Sequence, residues 1–450
     1  MRLASWIVPA ILIVLLPPGS LRAEEPQGSE KAKAGFRAGA ARRDITPEGP
    51  TPMWGYGARH DMLSQGALDP LLAKALVLEA GGEKVAVVSL DLGRGPTAPM
   101  MEEIRRETAK RGIKHHLICG SHTHHGPVIE LTNQEGFGKG KFDAAVAYSE
   151  KLPKLIVEAI AEADDKLQPA RIGVGHAELP LNRNRQWKKP NPPTDQLLSV
   201  VRVDSTDGKP IAVLVNYTGH PVMTDGRVLK FSADYPGFLQ KSVEAALGGT
   251  CMFIQGASGD MSVSAPEGKK TPQQFGELIG EHAIRVAKGI ETRVPEHPSI
   301  HGKVDRFLFA SRTNFKSAVV QAGYSKAFFP ELIRNMARDL EKGIDPELST
   351  VLLNGEIGLV GASGEFFCNH ANRLRERAGL PHLLFVGYCN GHHLYFPTIE
   401  GAAEGGYGAD APVSPVALGA GEVMMNRALA NLFRFKGKFP PQAPEAIEAK

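Results

Sequence analysis

Three imidazoles fall within four positions of the stretch Gly120-Ser121-His122-Thr123-His124-His125-Gly126-Pro127. Neutral imidazole is the commonest metal ligand and a proton carrier near neutral pH. The apolar run Leu117-Ile118-Cys119 just before it predicts a strand over 115–122. Strand alternation sends His122 and His124 to one face and His125 to the other. Two imidazoles on one side of a strand mouth can begin a metal site. A polar turn with surface histidines fits the spacing equally well.

The same design recurs along the chain. Apolar runs end in small residues followed by one or two polar ones: Ser89-Leu90-Asp91-Leu92-Gly93, Asn216-Tyr217-Thr218-Gly219-His220-Pro221, Gln255-Gly256-Ala257-Ser258-Gly259-Asp260-Met261-Ser262, Gly364-Glu365-Phe366 and Tyr388-Cys389-Asn390-Gly391-His392-His393-Leu394-Tyr395. In α/β sheets ligands bind beyond the carboxyl ends of strands, where the loops gather around one crevice. Each residue alone has a plain structural reading. His220 is as well explained as a hydrogen-bonded core histidine, Glu365 as a carboxylate favouring a helix start, and Tyr395 as core. Several familiar chemistries are excluded. The chain has no H-E-x-x-H, no Walker loop around Gly136–Lys141, and no G-x-S-x-G, since Gly256-Ala257-Ser258-Gly259 closes one residue early.

The elements that must carry these loops follow from periodicity. Runs 73–79 and 84–92 around Gly81-Gly82 read as a hairpin, then a helix over 98–111 and the strand to His122 make a parallel crossover unit. A helix over about 143–166 is expected to bury Leu152, Leu155, Ile156, Ala159, Ile160 and Ala163 on one face, with Pro153 expected to kink or split it. Strands follow at 170–178, 198–204, 210–217 and 251–255, with a helix over 236–247 before the last. Helices are expected at 273–289, 330–342, 365–378 and 417–435, two short strands within 350–361, and one at 382–387. The fold class is α/β, with mixed sheets, flanking helices and a metal site at the carboxyl ends of strands.

At 450 residues, 42% hydrophobic and 22% charged, the chain has material for a large core. Residues 1–23 read as a secretory signal peptide: Arg2, an apolar stretch from Ile7 to Leu16, and Ala23 before the cut. Its loss would bring the net charge from +3 to +1, a balance that argues against a nucleic-acid partner. No second long apolar segment suggests a transmembrane anchor, so a periplasmic or secreted location is expected. Residues 24–35 form a polar lead-in, 36–438 one catalytic domain and 439–450 a loose tail. Cys119, Cys251, Cys368 and Cys389 could pair in such a compartment or stay as buried thiols.

Taken in order, the motifs resemble the N-terminal catalytic domain of the neutral, non-lysosomal ceramidases. The pieces are Arg42 through Tyr56 (R-x-D-I-T with a later G-Y), Val88–Gly93, His122–Pro127 (H-T-H-x-G-P), Leu181-Asn182-Arg183, Tyr217–Pro221, Gly259-Asp260-Met261-Ser262, Gly364-Glu365-Phe366, and Cys389-Asn390 with Tyr395 and Tyr407. The chain departs from the pattern at His392, where the family has a tyrosine, and at His125, where it has serine. The resemblance is to the catalytic domain alone, and the family also carries a C-terminal immunoglobulin-like domain.

The resemblance implies Zn²⁺ held by His122, His220, Glu365 and Tyr395. It implies His124 as proton carrier, Arg183 and Tyr407 at the substrate carbonyl, Ser262 lining the site, and Asp260 and Asp91 behind the ligands. The implied activity is hydrolysis of an amide bond, in an N-acyl-sphingoid lipid or related N-acyl compound, with transient membrane-surface contact. Two other readings stay open: a divalent-metal hydrolase of another extracellular ester or amide, from cell-wall or polysaccharide material, and a non-catalytic secreted binding protein.

Overall fold

The computed structural model describes residues 35–340 and 342–439. The expected leader, most of the lead-in and nearly all of the tail lie outside the described residues. Along the chain come β1 (Arg37–Asp44), β2 (Leu72–Ala80), β3 (Glu83–Leu90), α1 (Ala98–Ala109), β4 (Ile113–Gly120), α2 (Asp143–Asp165), β5 (Gln168–Glu178), β6 (Asn182–Asn184), β7 (Leu197–Ser205), β8 (Pro210–Tyr217), α3 (Asp234–Leu247), β9 (Thr250–Gln255), β10 (Met261–Val263) and α4 (Pro272–Lys288). Then follow β11 (Ile300–Arg306), α5 (Ala318–Tyr324), α6 (Pro330–Asp339), β12 (Glu347–Leu353), β13 (Ile357–Ala362), β14 (Glu365–Phe366), α7 (Cys368–Ala378), β15 (His382–Val386), β16 (Tyr395–Phe396), α8 (Ile399–Glu404) and α9 (Ala420–Phe435).

An eight-stranded sheet runs in the order β4-β3-β2-β1-β5-β7-β8-β9, and a four-stranded sheet in the order β11-β12-β13-β15. Strand alternation explains how they stack. Leu76, Leu78, Val85, Val87, Val201 and Leu214 of the large sheet share one core with Val351, Leu353, Leu359, Leu384 and Val386 of the small one. Their neighbours in sequence face outward to helices. Ala75, Val77, Val88 and Ile118 pack on α1 and α2, while Val200, Val213 and Val215 pack on α3 and α4. On the small sheet Leu352, Val360 and Phe385 meet α7 and α9. The result is four layers, helix–sheet–sheet–helix, with strands buried on both faces. Full burial of one such aliphatic side chain stabilises by roughly 1.5–3 kcal/mol.

The expected mixed sheets with flanking helices are therefore present. The hairpin β2–β3 turns at Gly81 and Gly82, both with positive φ, and β3 pairs parallel with β4 across α1. Three expectations change. Helix α2 is not split at Pro153, which lies inside it, and Leu155 on its expected buried face is only partly buried. The strand before the histidines stops at Gly120, because His122 adopts a left-handed φ of 70°. Glu365 is not at a helix start: it lies on β14, paired parallel with Tyr395 on β16, and α7 begins three residues later. Short pieces such as β6, β10, β14 and β16 have too few residues for a periodic signal.

Among the described residues no helix is long and apolar enough to cross a membrane. All four cysteines are buried free thiols.

The two sheets are joined at their carboxyl ends by Asn390. Its side chain accepts from Ile118 N at 2.9 Å and donates to His116 O at 2.8 Å, Ser349 Oγ at 3.0 Å and Glu347 Oε1 at 3.1 Å. Asn390→Ala leaves several buried groups unpaired. It is expected to lower unfolding free energy by about 2–4 kcal/mol in a urea titration. A loss below ~0.5 kcal/mol would contradict this role.

Candidate metal centre

Parallel pairing puts the carboxyl ends of β3 and β4, of β8 and β9, and of β13 and β15 on one rim. Backbone bonds stitch the loops beyond them. Gly387 N–H donates to Gln255 O, Asn390 N–H to Ile118 O, Gly259 N–H to Phe366 O, and His122 N–H to Leu92 O. Buried Gln255 braces both histidine loops, its amide donating to Ser121 O and Gly219 O while its carbonyl accepts from Gly219 N and Gly256 N.

At the centre of that rim lie His122 and His220. His122 Nδ1–H donates to Gly93 O at 2.7 Å, and His220 Nδ1–H donates to Ser258 O at 2.8 Å. Those carbonyls fix the tautomer, leaving each Nε2 with a lone pair. The two Nε2 atoms face each other at 3.0 Å. Glu365 Oε2 lies 3.4 Å from the first and 3.3 Å from the second, and no hydrogen bond satisfies it. Three lone pairs converging in a buried space repel one another, an effect that the Arg185 guanidinium, 3.0 Å from His220 Nε2, offsets in part. A tetrahedral ion with ~2.0–2.1 Å bonds has ligands about 3.3 Å apart, so the donor set fits a metal. His124 completes the group, its Nε2 3.4 Å from His122 Nε2.

The electrostatics agree. Burial, with Arg185 and His122 alongside, pushes the His220 imidazolium down to about 3. Burial and the neighbouring imidazoles of His122 and His220 hold His124 well below its ordinary value. Burial alone would raise the Glu365 carboxyl, but His122 and His220 hold it well below its usual range. Neutral imidazoles at His124 and His220 and an ionised Glu365 carboxylate suit a bound metal.

The convergence of His122 and His124 does not come from strand alternation. The left-handed φ at His122 turns the chain off β4, and Gly55 lets the backbone pass against His124, where a Cβ would lie 2.5 Å from the ring. Trp54 stands edge-on to His122 and His124, with ring centroids 5.2 and 5.5 Å away. His125 turns away, its ring nitrogens at Lys230 O and Thr224 O.

Other expected residues lie at varied distances from this centre. Tyr395 is buried beside Glu365, and Arg185 Nη2 donates to its hydroxyl at 3.1 Å. Burial pushes the Tyr395 phenol up, and the nearby Glu365 charge adds to this while Arg185 opposes it. Arg183 is exposed on β6, opposite Ser262 on β10. The guanidinium at the histidines is that of Arg185, which contacts His220 Nε2 at 3.0 Å and donates to Gly259 O at 2.9 Å. Ser262 itself is half-buried and bridges to His220 through the backbone. Tyr407 is 66% exposed, with its ring 5.6 Å from that of Tyr395.

Asp260 ties the strand β6 segment to α7, accepting from Asn184 Nδ2 and Cys368 N, both at 2.7 Å. Asp91 accepts from Leu72 N and Gln240 Nε2, and lines a separate cavity of about 290 Å³ with Lys74 and Glu244. Neither carboxylate bonds a histidine. Of the residues at this centre, Arg185 lies outside the expectations from sequence, while Gln255 enters them only within a strand-end motif and His392 only as a departure from the resembling family. The doubled Asn-Arg of 182–185 was the only signal for Arg185, and it cannot say which arginine turns inward.

The fold and site thus define a mixed α/β protein with a buried histidine–carboxylate centre at the strand ends. No family model matches the chain. The neutral ceramidase of Pseudomonas aeruginosa is 24% identical over 458 residues, covering 81% of this chain and 67% of that protein. The crystal structure of neutral ceramidase from Pseudomonas aeruginosa superposes with a TM-score of 0.72 at 20% identity, over 91% of this chain and 75% of that one. A ceramidase complexed with C2 gives 0.70 at 18% identity, over 91% and 76%. The resemblance read from the motifs is borne out: this chain is similar in sequence to a neutral ceramidase and shares the fold.

Asp91 offers a test of the burial argument. Burial raises its carboxyl from 3.8 to about 6. Between those values the native state holds the proton that the unfolded chain has lost, so stability falls as pH rises and the loss is complete above about pH 6. Asp91→Asn removes the charge, and its amide can pair with the unpartnered Gln240 Oε1. Urea unfolding should find the variant more stable than the parent by on the order of 1–2 kcal/mol at pH 8 relative to the difference at pH 4. An equal difference at both pH values would contradict this.

Proposed function

We propose that this protein is a zinc-dependent amidohydrolase that cleaves an N-acyl-sphingoid lipid, or a related N-acyl compound, into its amine and fatty acid. The observation that carries the reading is the convergence of His122 Nε2, His220 Nε2 and Glu365 Oε2 within 3.0–3.4 Å. Those three would hold the ion, with Tyr395 beside them. When bound, Zn²⁺ supplies Lewis acidity, polarising a carbonyl and making water acidic enough to ionise near neutral pH.

The chain's own residues do the rest. Half-buried His124 is held neutral and turns Nε2 to the centre, 3.4 Å from His122 Nε2, so it would accept a proton from attacking water and return it to the leaving amine. Arg185 directs a guanidinium at the centre and would stabilise negative charge developing on the carbonyl oxygen. Trp54 and Tyr388 hold the imidazole plane of His122, the latter stacked at 3.9 Å. Exposed Tyr407 stands beside Tyr395, with ring centroids 5.6 Å apart. The similarity to neutral ceramidases supports the amide over an ester. A periplasmic or extracellular location belongs to the same reading, with the substrate met at a membrane surface.

Mature protein should contain one zinc per chain by plasma emission analysis. His122→Ala and Glu365→Ala should lose the metal and at least ~10³-fold in kcat/KM on fluorescent ceramide. Short N-acyl and O-acyl substrates tested alongside separate ceramide hydrolysis from a broader amidase or esterase. The mechanism is wrong if the protein carries no stoichiometric zinc and neither substitution changes activity. Separately, Arg185→Ala should reduce kcat by about 10²-fold while Arg183→Ala stays within ~3-fold; the reverse order would return the oxyanion role to Arg183.

A further inference from the structure

One imidazole at the centre remains outside this scheme. His392 is 4% exposed in its side chain, and neither ring nitrogen has a hydrogen-bond partner. Buried polar groups are seldom left unpaired, and an unpaired one points to a partner within reach. The group within reach is Glu365: its Oε1 lies 3.7 Å from His392 Nε2, about 0.5–1 Å beyond hydrogen-bond range.

The loop presents His392 firmly to this spot. Tyr388, Asn390 and Leu394 adopt left-handed conformations, and Gly391 packs against Ser363. Asn390 anchors the loop to both sheets. The His392 ring stands edge-on to Trp54 at 5.5 Å and stacks towards Tyr388 at 6.1 Å, so it is wedged in plane. Glu365 meanwhile turns its other oxygen, Oε2, to His122 and His220.

We propose that His392 is a positioning residue: its Nε2–H donates to Glu365 Oε1 and so fixes Oε2 towards His122 and His220. This rests on the zinc reading above. Hydrogen bonds to a metal-ligating carboxylate orient it, and losing such a partner commonly costs 10–100-fold in metal affinity. A second role, as a direct zinc ligand, is not needed for it.

The test uses full-length mature protein and four variants: His392→Ala, His392→Phe, His392→Gln and His392→Tyr. Zn²⁺ affinity is measured by competition with a chromogenic chelator, and kcat and KM on a short N-acyl substrate. The unfolding midpoint of the metal-free proteins serves as a control on packing. Ala and Phe are expected to weaken zinc binding by about 10–100-fold and to lower kcat with little change in KM. Gln and Tyr, which keep a donor, should recover affinity to within ~5-fold of the parent. If Ala fails to fold, Phe against Tyr decides, since both keep a ring of similar size. The proposal is overturned if Phe binds zinc within ~2-fold of the parent, or if Gln and Tyr are as weak as Phe. A parent protein that binds no zinc would instead overturn the zinc reading, and this inference with it.

Discussion

Everything in this molecule answers to one electrostatic problem: three lone pairs, from two imidazoles and a carboxylate, held within 3.0–3.4 Å of one another and out of water. Left alone such an arrangement is repulsive. It persists because backbone carbonyls of Gly93 and Ser258 lock both tautomers, and because the loops bearing the ligands are bonded to each other. The loops beyond β4 and β8 of the large sheet supply His122 and His220, and the segment beyond β13 of the four-stranded sheet supplies Glu365 on β14. The stacking of the two sheets is therefore what brings the donors together. Gln255 and Asn390, buried between the loops, turn that stacking into fixed positions.

Strain gathers at the same place. His122, Tyr388, Asn390 and Leu394 all have positive φ, which β-strand geometry would not permit. Non-glycine residues persist in this region only where surroundings over-determine them. Here the over-determination is visible: Asn390 makes four side-chain bonds, and the Tyr388 ring stacks on His122 while its hydroxyl meets Ser258 Oγ at 2.7 Å. The packed layers supply stability that the rim gives up in exchange for aimed side chains.

Much of this was legible in the sequence, for reasons that can be stated residue by residue. Strands buried on both faces leave long apolar runs, so β2, β3, β7, β8 and β9 stood out, and the glycine-rich ends of those runs marked the rim. The candidate metal donors His122, His220, Glu365 and Tyr395 follow from motifs that stand in the order of a resembling family; spacing alone leaves each with a bland alternative. What stayed hidden was set by tertiary contact. The turn at His122 replaces strand alternation, so the right pair of histidines converged for a different reason than the one expected. Two-residue strands such as β14 and β16 carry no period, so the sequence around Glu365 reads as a helix start although the residue lies on β14. Arg183 and Arg185 are equivalent in sequence, and only the backbone bond from Arg185 N to Asp260 O turns the second one inward. His392 looked like a departure from a pattern; its place beside Glu365 Oε1 gives that departure a physical meaning.

The most direct measurement is a crystal structure of the zinc-loaded protein with data collected on both sides of the zinc absorption edge. The account predicts one strong anomalous peak within ~2.0–2.2 Å of His122 Nε2, His220 Nε2 and Glu365 Oε2. A peak held by other residues, or none at these three atoms in protein proven to contain zinc, would contradict it.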